Sequence, residues 1–237
     1  MMGFAETKSS SSSLSNANSP QYKAVEWLAQ DKVDNGSNWS GYELLQRYVL
    51  RVLYHSTGGA NWSNSAPTTW FAASSVCAWG SFNAQCIGSG QKVDLINLYF
   101  DNLQGTIPDE LGHLTALTLL RFYSNQLTGT IPTHLGQLTA LTYLVLDNNQ
   151  LTGTIPIALT QLTNLKGLYL YNNNLTGQVP SGFCEAPFPD WRADGAGGNQ
   201  LAADCMSQVE CDCCDACAYE NGNIFCWSTA SNEFYDC

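Results

Sequence analysis

Eight of the ten cysteines crowd the C-terminal segment 184–237: Cys184, Cys205, Cys211, Cys213, Cys214, Cys217, Cys226 and Cys237. The run Cys211-x-Cys213-Cys214-x-x-Cys217, flanked by Asp212 and Asp215, offers four thiolates, a set that zinc accepts. The same residues could pair as disulfides, with adjacent Cys213 and Cys214 taking different partners. An even count at this density in a short, charge-rich segment favours a disulfide scaffold in an oxidising compartment, because so few apolar residues cannot make a core. Eight cysteines allow about 105 connectivities, and the spacing selects none of them. Cys77 and Cys86 form a separate pair of positions. The acidic side chains of the tail lack the spacing of a calcium loop and read as a solvated surface.

Catalytic chemistry finds little to work with. His55, His113 and His134 fall at unrelated offsets, and no nucleophile elbow, zinc-binding H-E-x-x-H or phosphate loop occurs. No metal ligand set is assigned, and no cofactor is implied; the chain reads as non-enzymatic. The net charge of −11 divides unevenly: segment 184–237 holds ten acids against Arg192, a net of −9, while segment 1–183 carries only −2. Without a cationic patch, nucleic-acid binding is excluded. No run of about 18 apolar residues exists, so no spanning segment is expected. Met1 to Ser15 show no basic region followed by an apolar one, so no secretory signal is visible, although the cysteines argue for an extracellular or cell-surface location.

The elements that would position any site are written in a repeat. Gly105-Thr106-Ile107-Pro108, Gly129-Thr130-Ile131-Pro132, Gly153-Thr154-Ile155-Pro156 and Gly177-Gln178-Val179-Pro180 recur at one constant interval. Four positions before each glycine stands Asp101, Asn125, Asn149 or Asn173. Before those lie the apolar triplets Val93/Ile96/Leu98, Leu117/Leu120/Phe122, Leu141/Leu144/Leu146 and Leu165/Leu168/Leu170. This is the leucine-rich-repeat pattern L-x-x-L-x-L-x-x-N-x-L, with a period inside its expected range. Each x-L-x-L segment predicts a short strand with leucines inward, and each coil needs a neighbour to bury its apolar face. The asparagine column turns the chain and can bond the backbone of adjacent coils. Asp101 keeps the acceptor but loses the donor. Leu111/Leu114, Leu135/Leu138 and Leu159/Leu162 face inward from the opposite wall.

Residues 1–20, with the run Ser9 to Ser13, read as a disordered leader. Residues 21–92 read as a helical, Trp- and Cys-containing N-terminal cap. Val25, Leu28 and Ala29 share a face of a first helix. In a second helix Ser40 and Glu43 form a capping box, and Leu44, Leu45, Tyr48, Val49, Val52 and Leu53 recur at helical spacing until Gly58-Gly59. Residues 93–183 are four repeats, and 184–237 an acidic, Cys-rich C-terminal cap.

The G-x-[IV]-P repeats resemble the plant-type extracellular leucine-rich repeats of receptor-like proteins, receptor-like kinases and polygalacturonase inhibitors, with similar microalgal secreted or surface proteins. Thr57-Gly58-Gly59-Ala60-Asn61-Trp62, Trp70, Cys77, Trp79-Gly80 and Cys86 resemble that family's N-terminal cap, whose paired cysteines are usually bonded. Cap and repeats cover about residues 41–183. The tail is similar to C-terminal segments of the microalgal members. The resemblance implies an α/β, right-handed leucine-rich-repeat solenoid, a horseshoe segment with a helical N-terminal cap and a disulfide-rich C-terminal cap. It implies a monomeric recognition module in signalling, adhesion or defence. An inhibitor of an extracellular cell-wall hydrolase is the alternative.

Function on a solenoid lies on the outward strand positions. Two positions before the asparagine column stand Tyr99, Tyr123, Asp147 and Tyr171; four before stand Asn97, Arg121, Val145 and Tyr169. Tyr143, Phe100 and Asn148 adjoin them. Tyr and Arg at this frequency fit a surface for a protein, peptide or glycan, with Arg121 and Asp147 setting polarity. Tyrosines also stack on pleated strands with no ligand at all. Columns Thr106/Thr130/Thr154, Thr128/Thr152/Thr176 and Thr115/Thr139/Thr163, spaced by roughly 4.8 Å, could instead face ice or a polysaccharide. An intracellular metal-thiolate protein is a further alternative. Sequons stand at Asn35, Asn38, Asn61 and Asn174.

Overall fold

The computed structural model describes residues 11–35, 39, 41–63, 76–78, 84–86 and 92–183, together with strand segments at 200–202, 209–210, 216–220, 223–228 and 233–234. The described residues open with a helical turn, α1 (Ser11–Ser15), whose Leu14 is buried. The expected disordered leader therefore does not extend to residue 20; residues 1–10 lie outside the described set. Helix α2 (Pro20–Asn35) starts where Ser19 Oγ accepts from the Tyr22 N–H, with proline at the first helical position. Its buried face is Ala24, Val25, Leu28 and Asp31, and Ala29 is exposed, so the expected apolar face is rotated toward Ala24.

Helix α3 (Gly41–Ser56) buries Gln46, Arg47, Tyr48, Val49, Leu50, Val52 and Leu53. That is more than one stripe, because α2 packs on one side and the first coil on the other. Gln46 Oε1 accepts from the Val93 N–H, and the Gln104 N–H donates to the Thr57 carbonyl. The predicted capping box falls partly outside the description, since Ser40 is not covered. Glu43 Oε1 instead accepts from Arg47 Nε at 3.0 Å and from the Val76 N–H at 3.3 Å. Buried Arg47 also lies 3.7 Å from the Trp39 ring centre, and Trp39 stacks on Trp27. Cys77 and Cys86 are disulfide-bonded, with Cα atoms 5.2 Å apart. Closing so short a loop contributes roughly 2–3 kcal/mol.

The principal sheet has six strands: β1 (Ala84–Gln85), antiparallel at one edge, then the parallel β2 (Leu95–Asn97), β4 (Leu119–Arg121), β6 (Tyr143–Val145), β8 (Gly167–Tyr169) and β11 (Gln200–Ala202). In register, Ile96, Leu120, Leu144 and Leu168 face one another across neighbouring strands, all fully buried. On the flank, β3 (Gln104–Thr106) pairs with β5 (Gln126–Thr128), β7 (Thr152–Gly153) with β9 (Asn174–Leu175), and β10 (Gly177–Gln178) with β12 (Val209–Glu210). Short 3-10 turns at Asp109–His113, Thr133–Gln137 and Ile157–Gln161, each entered from proline, carry the wall leucines inward. All six predicted wall leucines are buried.

The asparagine column links the coils as expected. Asn149 Nδ2 donates to the Phe122 and Leu146 carbonyls, and its Oδ1 accepts from the Leu127 N–H. Asn125 and Asn173 repeat the pattern. At Asp101 the first coil meets the N-terminal region instead, the Ser63 N–H donating to its carbonyl. The tail differs from a separate cap: β11 and β12 add a fifth coil's worth of pairing to the main sheet and the flank. Beyond it, β13 (Ala216–Glu220), β14 (Asn223–Ser228) and β15 (Glu233–Phe234) form an antiparallel sheet.

Candidate functional site on the strand face

Three outward rows cross the main sheet. The row nearest the strand starts is Leu95, Leu119, Tyr143, Gly167; the next is Asn97, Arg121, Val145, Tyr169. The third, just past the strands, is Tyr99, Tyr123, Asp147, Tyr171. Half-buried Leu95 and Leu119 extend the surface beyond the predicted set, and the signal for them was one further step of the period-two alternation, while Gly167 in the same row is buried. A Cβ on Gly167 would meet the Tyr143 ring at 2.7 Å and the Tyr169 ring at 2.8 Å, so these tyrosines close over that strand.

At the N-terminal end the surface is aromatic. Tyr99 and Tyr123 stack with ring centres 5.0 Å apart and planes 1° from parallel, and Phe100 stands edge-on to Tyr123 at 5.6 Å. Phe100 is 64% exposed and Tyr99 41%. Phe100 also has φ 52°, a left-handed conformation shared at the same repeat position by Ser124, Asn148 and Asn172. Asparagine tolerates that region because its short amide bonds locally; a bulky phenylalanine adopts it only at a conformational cost.

Next to these rings sits Arg121, half-buried. Among the described residues the ion pairs are Arg47–Glu43 and His134–Asp109, and Arg121 takes part in neither. The predicted Arg121/Asp147 polarity is therefore corrected: Asp147 is 3% exposed, not an outward group. Its carboxylate accepts from Asn148 Nδ2 at 2.6 Å and from the Tyr171 hydroxyl. Burial, which disfavours its charged form, raises Asp147 above the usual carboxylate range. Burial, with the neighbouring Asp147, pushes the Tyr171 hydroxyl up to about 12. Asn172 Nδ2 donates in turn to Asn148 Oδ1. At the other end, Asn97 Oδ1 is buried with no hydrogen-bond partner among the described residues. Val145 and Tyr169 are half-buried between these regions, and Tyr143 is 37% exposed.

One threonine column has internal hydroxyl partners and a second packs its methyls against glycines. Thr128, Thr152 and Thr176 donate their hydroxyls to the Gly105, Gly129 and Gly153 carbonyls of the preceding coil. The Thr106, Thr130 and Thr154 methyls crowd Gly129, Gly153 and Gly177, where a Cβ would stand 3.0, 2.9 and 2.9 Å from them. Of the histidines, His55 lies near Lys23 of α2, while His113 and His134 line a groove with Gln21, Asp109 and Glu110 away from the strand face. Among the described residues no group of three or more His, Cys, Asp or Glu is arranged to hold a metal, and no helix is long and apolar enough to cross a membrane. Asn61 and Asn174 are exposed; Asn35 ends α2, and Asn38 lies outside the described residues.

The leucine-rich-repeat family pattern matches residues 116–138, 140–162 and 164–186. Among solved structures, the chain is similar to the PEPR1–AtPEP1 structure (31% identity, TM-score 0.53, over 59% of this chain and 19% of that one). It is similar to the BIR2 ectodomain from Arabidopsis thaliana at 31% identity and TM-score 0.50, over 57% of this chain and 71% of that one. The BIR3–SERK2 complex from the same plant shares the fold at 24% identity and TM-score 0.50, covering 68% and 81%. Among curated proteins none matches. The chain is a leucine-rich-repeat protein whose repeats are of the plant receptor-ectodomain type. It spans 19% of the PEPR1 chain it resembles.

Proposed function

We propose that this protein is a non-enzymatic recognition module that binds a protein or peptide ligand on the strand face, outside the cell or at its surface. One observation carries the reading: Phe100 is held 64% exposed in a left-handed conformation beside the Tyr99–Tyr123 stack. Strained backbone and solvent-exposed aromatics are both costly, and their coincidence at one place marks a surface built for contact rather than for folding. Arg121, outside the ion pairs, adds a donor fork that matches an acidic or carbonyl-rich ligand. The matched PEPR1 structure holds AtPEP1, which supports ligand docking as the use of this scaffold. Glycans on Asn61 and Asn174 and oxidised tail cysteines fit the same compartment.

The test compares three immobilised proteins: wild type, the triple variant Tyr99→Ser/Phe100→Asn/Arg121→Gln, and Ile157→Ala, whose site is exposed on the opposite wall. Surface extracts are passed over each. A ligand retained by wild type and Ile157→Ala but lost from the triple variant is the expected result; equal retention by all three refutes the placement.

A further inference from the structure

We propose that Asp147 and Tyr171 form a proton-operated switch on the strand face. With Asp147 charged, the Tyr171 hydroxyl donates inward to it; with Asp147 protonated, that hydroxyl turns outward and donates to whatever lies on the face. Asp147 is 3% exposed and lies against Tyr171 of the next coil. Three groups bond its carboxylate: Asn148 Nδ2 at 2.6 Å, its own backbone N–H and the Tyr171 hydroxyl. All three donate. A carboxylate has only lone pairs to offer, so this surrounding suits the charged form.

A protonated carboxyl has a hydrogen to place, and a group so deeply buried meets little water. The N–H groups of Asn148 and of the backbone carry no lone pair to receive it. The Tyr171 oxygen does, because a hydroxyl both donates and accepts. Asn148 could accept only by flipping its amide, and Asn172 Nδ2 holds Asn148 Oδ1 from the other side at 2.9 Å. A proton taken from solvent therefore settles on a carboxyl oxygen of Asp147 and is donated to Tyr171 Oη. The hydrogen already on Tyr171 rotates about the Cζ–Oη bond to the side away from Asp147. One proton is gained, no bond to carbon changes and no electron moves between groups.

The titratable and charged side chains about Asp147 are Tyr123 of the preceding coil and Tyr169 and Tyr171 of the following one. Beyond these tyrosines stand Arg121 of β4 and Tyr143 of β6. Tyrosine and arginine titrate far above neutrality, so Asp147 is the member of the cluster that changes charge in acid. Burial raises Asp147 above the ordinary aspartate value, which brings the changeover toward mild acid. The consequence for binding rests on the strand-face reading. Near neutrality Tyr171 offers a ligand only oxygen lone pairs, which suit a peptide N–H. In acid it offers a hydrogen, which suits a carbonyl or carboxylate oxygen.

The full chain, carrying carbon-13 at tyrosine Cζ and aspartate Cγ, is followed by NMR from about pH 8 to about pH 4. Loss of a signal in Tyr171→Phe and in Asp147→Asn assigns the two groups. Exchange of the Tyr171 hydroxyl hydrogen with water is read from the deuterium shift at Cζ. In wild type it should be about tenfold slower than in Asp147→Asn above the Asp147 midpoint, and equal to it below. Equal rates at every pH, or an Asn148 side-chain amide that moves at that midpoint while Tyr171 stays still, overturn the switch. Should Asp147→Asn fail to fold, the Tyr123 hydroxyl of wild type serves as the reference. With surface extract as the probe, wild type should change its hold on the retained component by roughly threefold to tenfold across the midpoint, and Asp147→Asn not at all. No change in wild type, or a change that survives in Asp147→Asn, overturns regulation of the site. The NMR arm needs no ligand, so its failure leaves the strand-face reading untouched, and failure of that reading leaves the NMR result standing.

Discussion

The two halves of the strand face occupy the same repeat positions and use them in opposite ways. In the C-terminal half, Asn172 donates to Asn148, Asn148 donates to Asp147, and Tyr171 donates to Asp147 as well, so its polar groups satisfy one another. In the N-terminal half, Tyr99, Phe100 and Tyr123 stack in the open, and among the described residues Arg121 has no ion pair and Asn97 Oδ1 no partner. The repeat demands a left-handed residue after the third outward position. Asn148 and Asn172 meet that demand cheaply, and Phe100 does not. Phe100 meets only the neighbouring rings of Tyr99 and Tyr123 and stays 64% exposed, and a place where local preference is broken while the ring is left open is where a partner is expected.

Both halves hang from one asparagine ladder, so the largest effect comes from cutting it. Asn149→Ala would leave the buried Leu127 N–H and the Phe122 and Leu146 carbonyls without their side-chain partner. The expected loss is about 3 kcal/mol in chemical denaturation, since unsatisfied buried backbone groups keep their desolvation cost. A loss under about 1 kcal/mol would mean that the coils are held by leucine packing alone.

Ligand affinity separates the halves next. Tyr99→Ala should weaken binding by about 2 kcal/mol, some 30-fold, as an exposed aromatic anchor does. Tyr171→Phe, which removes a hydroxyl already committed to Asp147, should change affinity less than threefold. The reverse ranking in a titration would move the site to the C-terminal half.

Acid sharpens the contrast between buried groups. His55, held to about 4 by burial, with Arg51 and Lys23 adding repulsion, is depressed in the folded state. Its contribution is complete above pH 6.5 and is lost as pH falls toward 4, because the unfolded chain takes up the proton first. Asp147 is raised, so its charged form opposes folding as pH rises, and acidification relieves that cost. Wild type is expected to lose about 1–2 kcal/mol between pH 6.5 and 4 after allowance for solvent screening. His55→Gln should flatten that slope and Asp147→Asn steepen it.

Legibility from sequence tracked periodicity. The leucine triplets, the wall leucines and the asparagine ladder were readable because each recurs four times or nearly so, and the structure buries or bonds them where the pattern places them. The fifth strand was not, because Gln200 pairs with Gly167 across a longer stretch of chain than the interval from Tyr143 to Gly167, and it brings no leucine triplet. Asp147 was misread for a different reason. Alternation says which way a side chain starts, but Tyr171 on the next coil covers it. Phe100 was legible as an aromatic near the face, while its strained backbone was not, since the repeat consensus does not mark that position.

The smallest effect tests that strain directly. Phe100→Asn restores at the first coil the residue type that the third and fourth coils carry at the same place. If Phe100 is held out at a cost to the fold, the variant should be more stable by about 0.5–1 kcal/mol, because asparagine enters the left-handed region with less steric penalty. It should also bind ligand more weakly, losing the exposed ring. Stability and binding moving in opposite directions is the signature of a residue kept for contact. A variant that is both less stable and unchanged in binding would show the ring packing on Tyr123 to be structural, and would make the two halves equivalent after all.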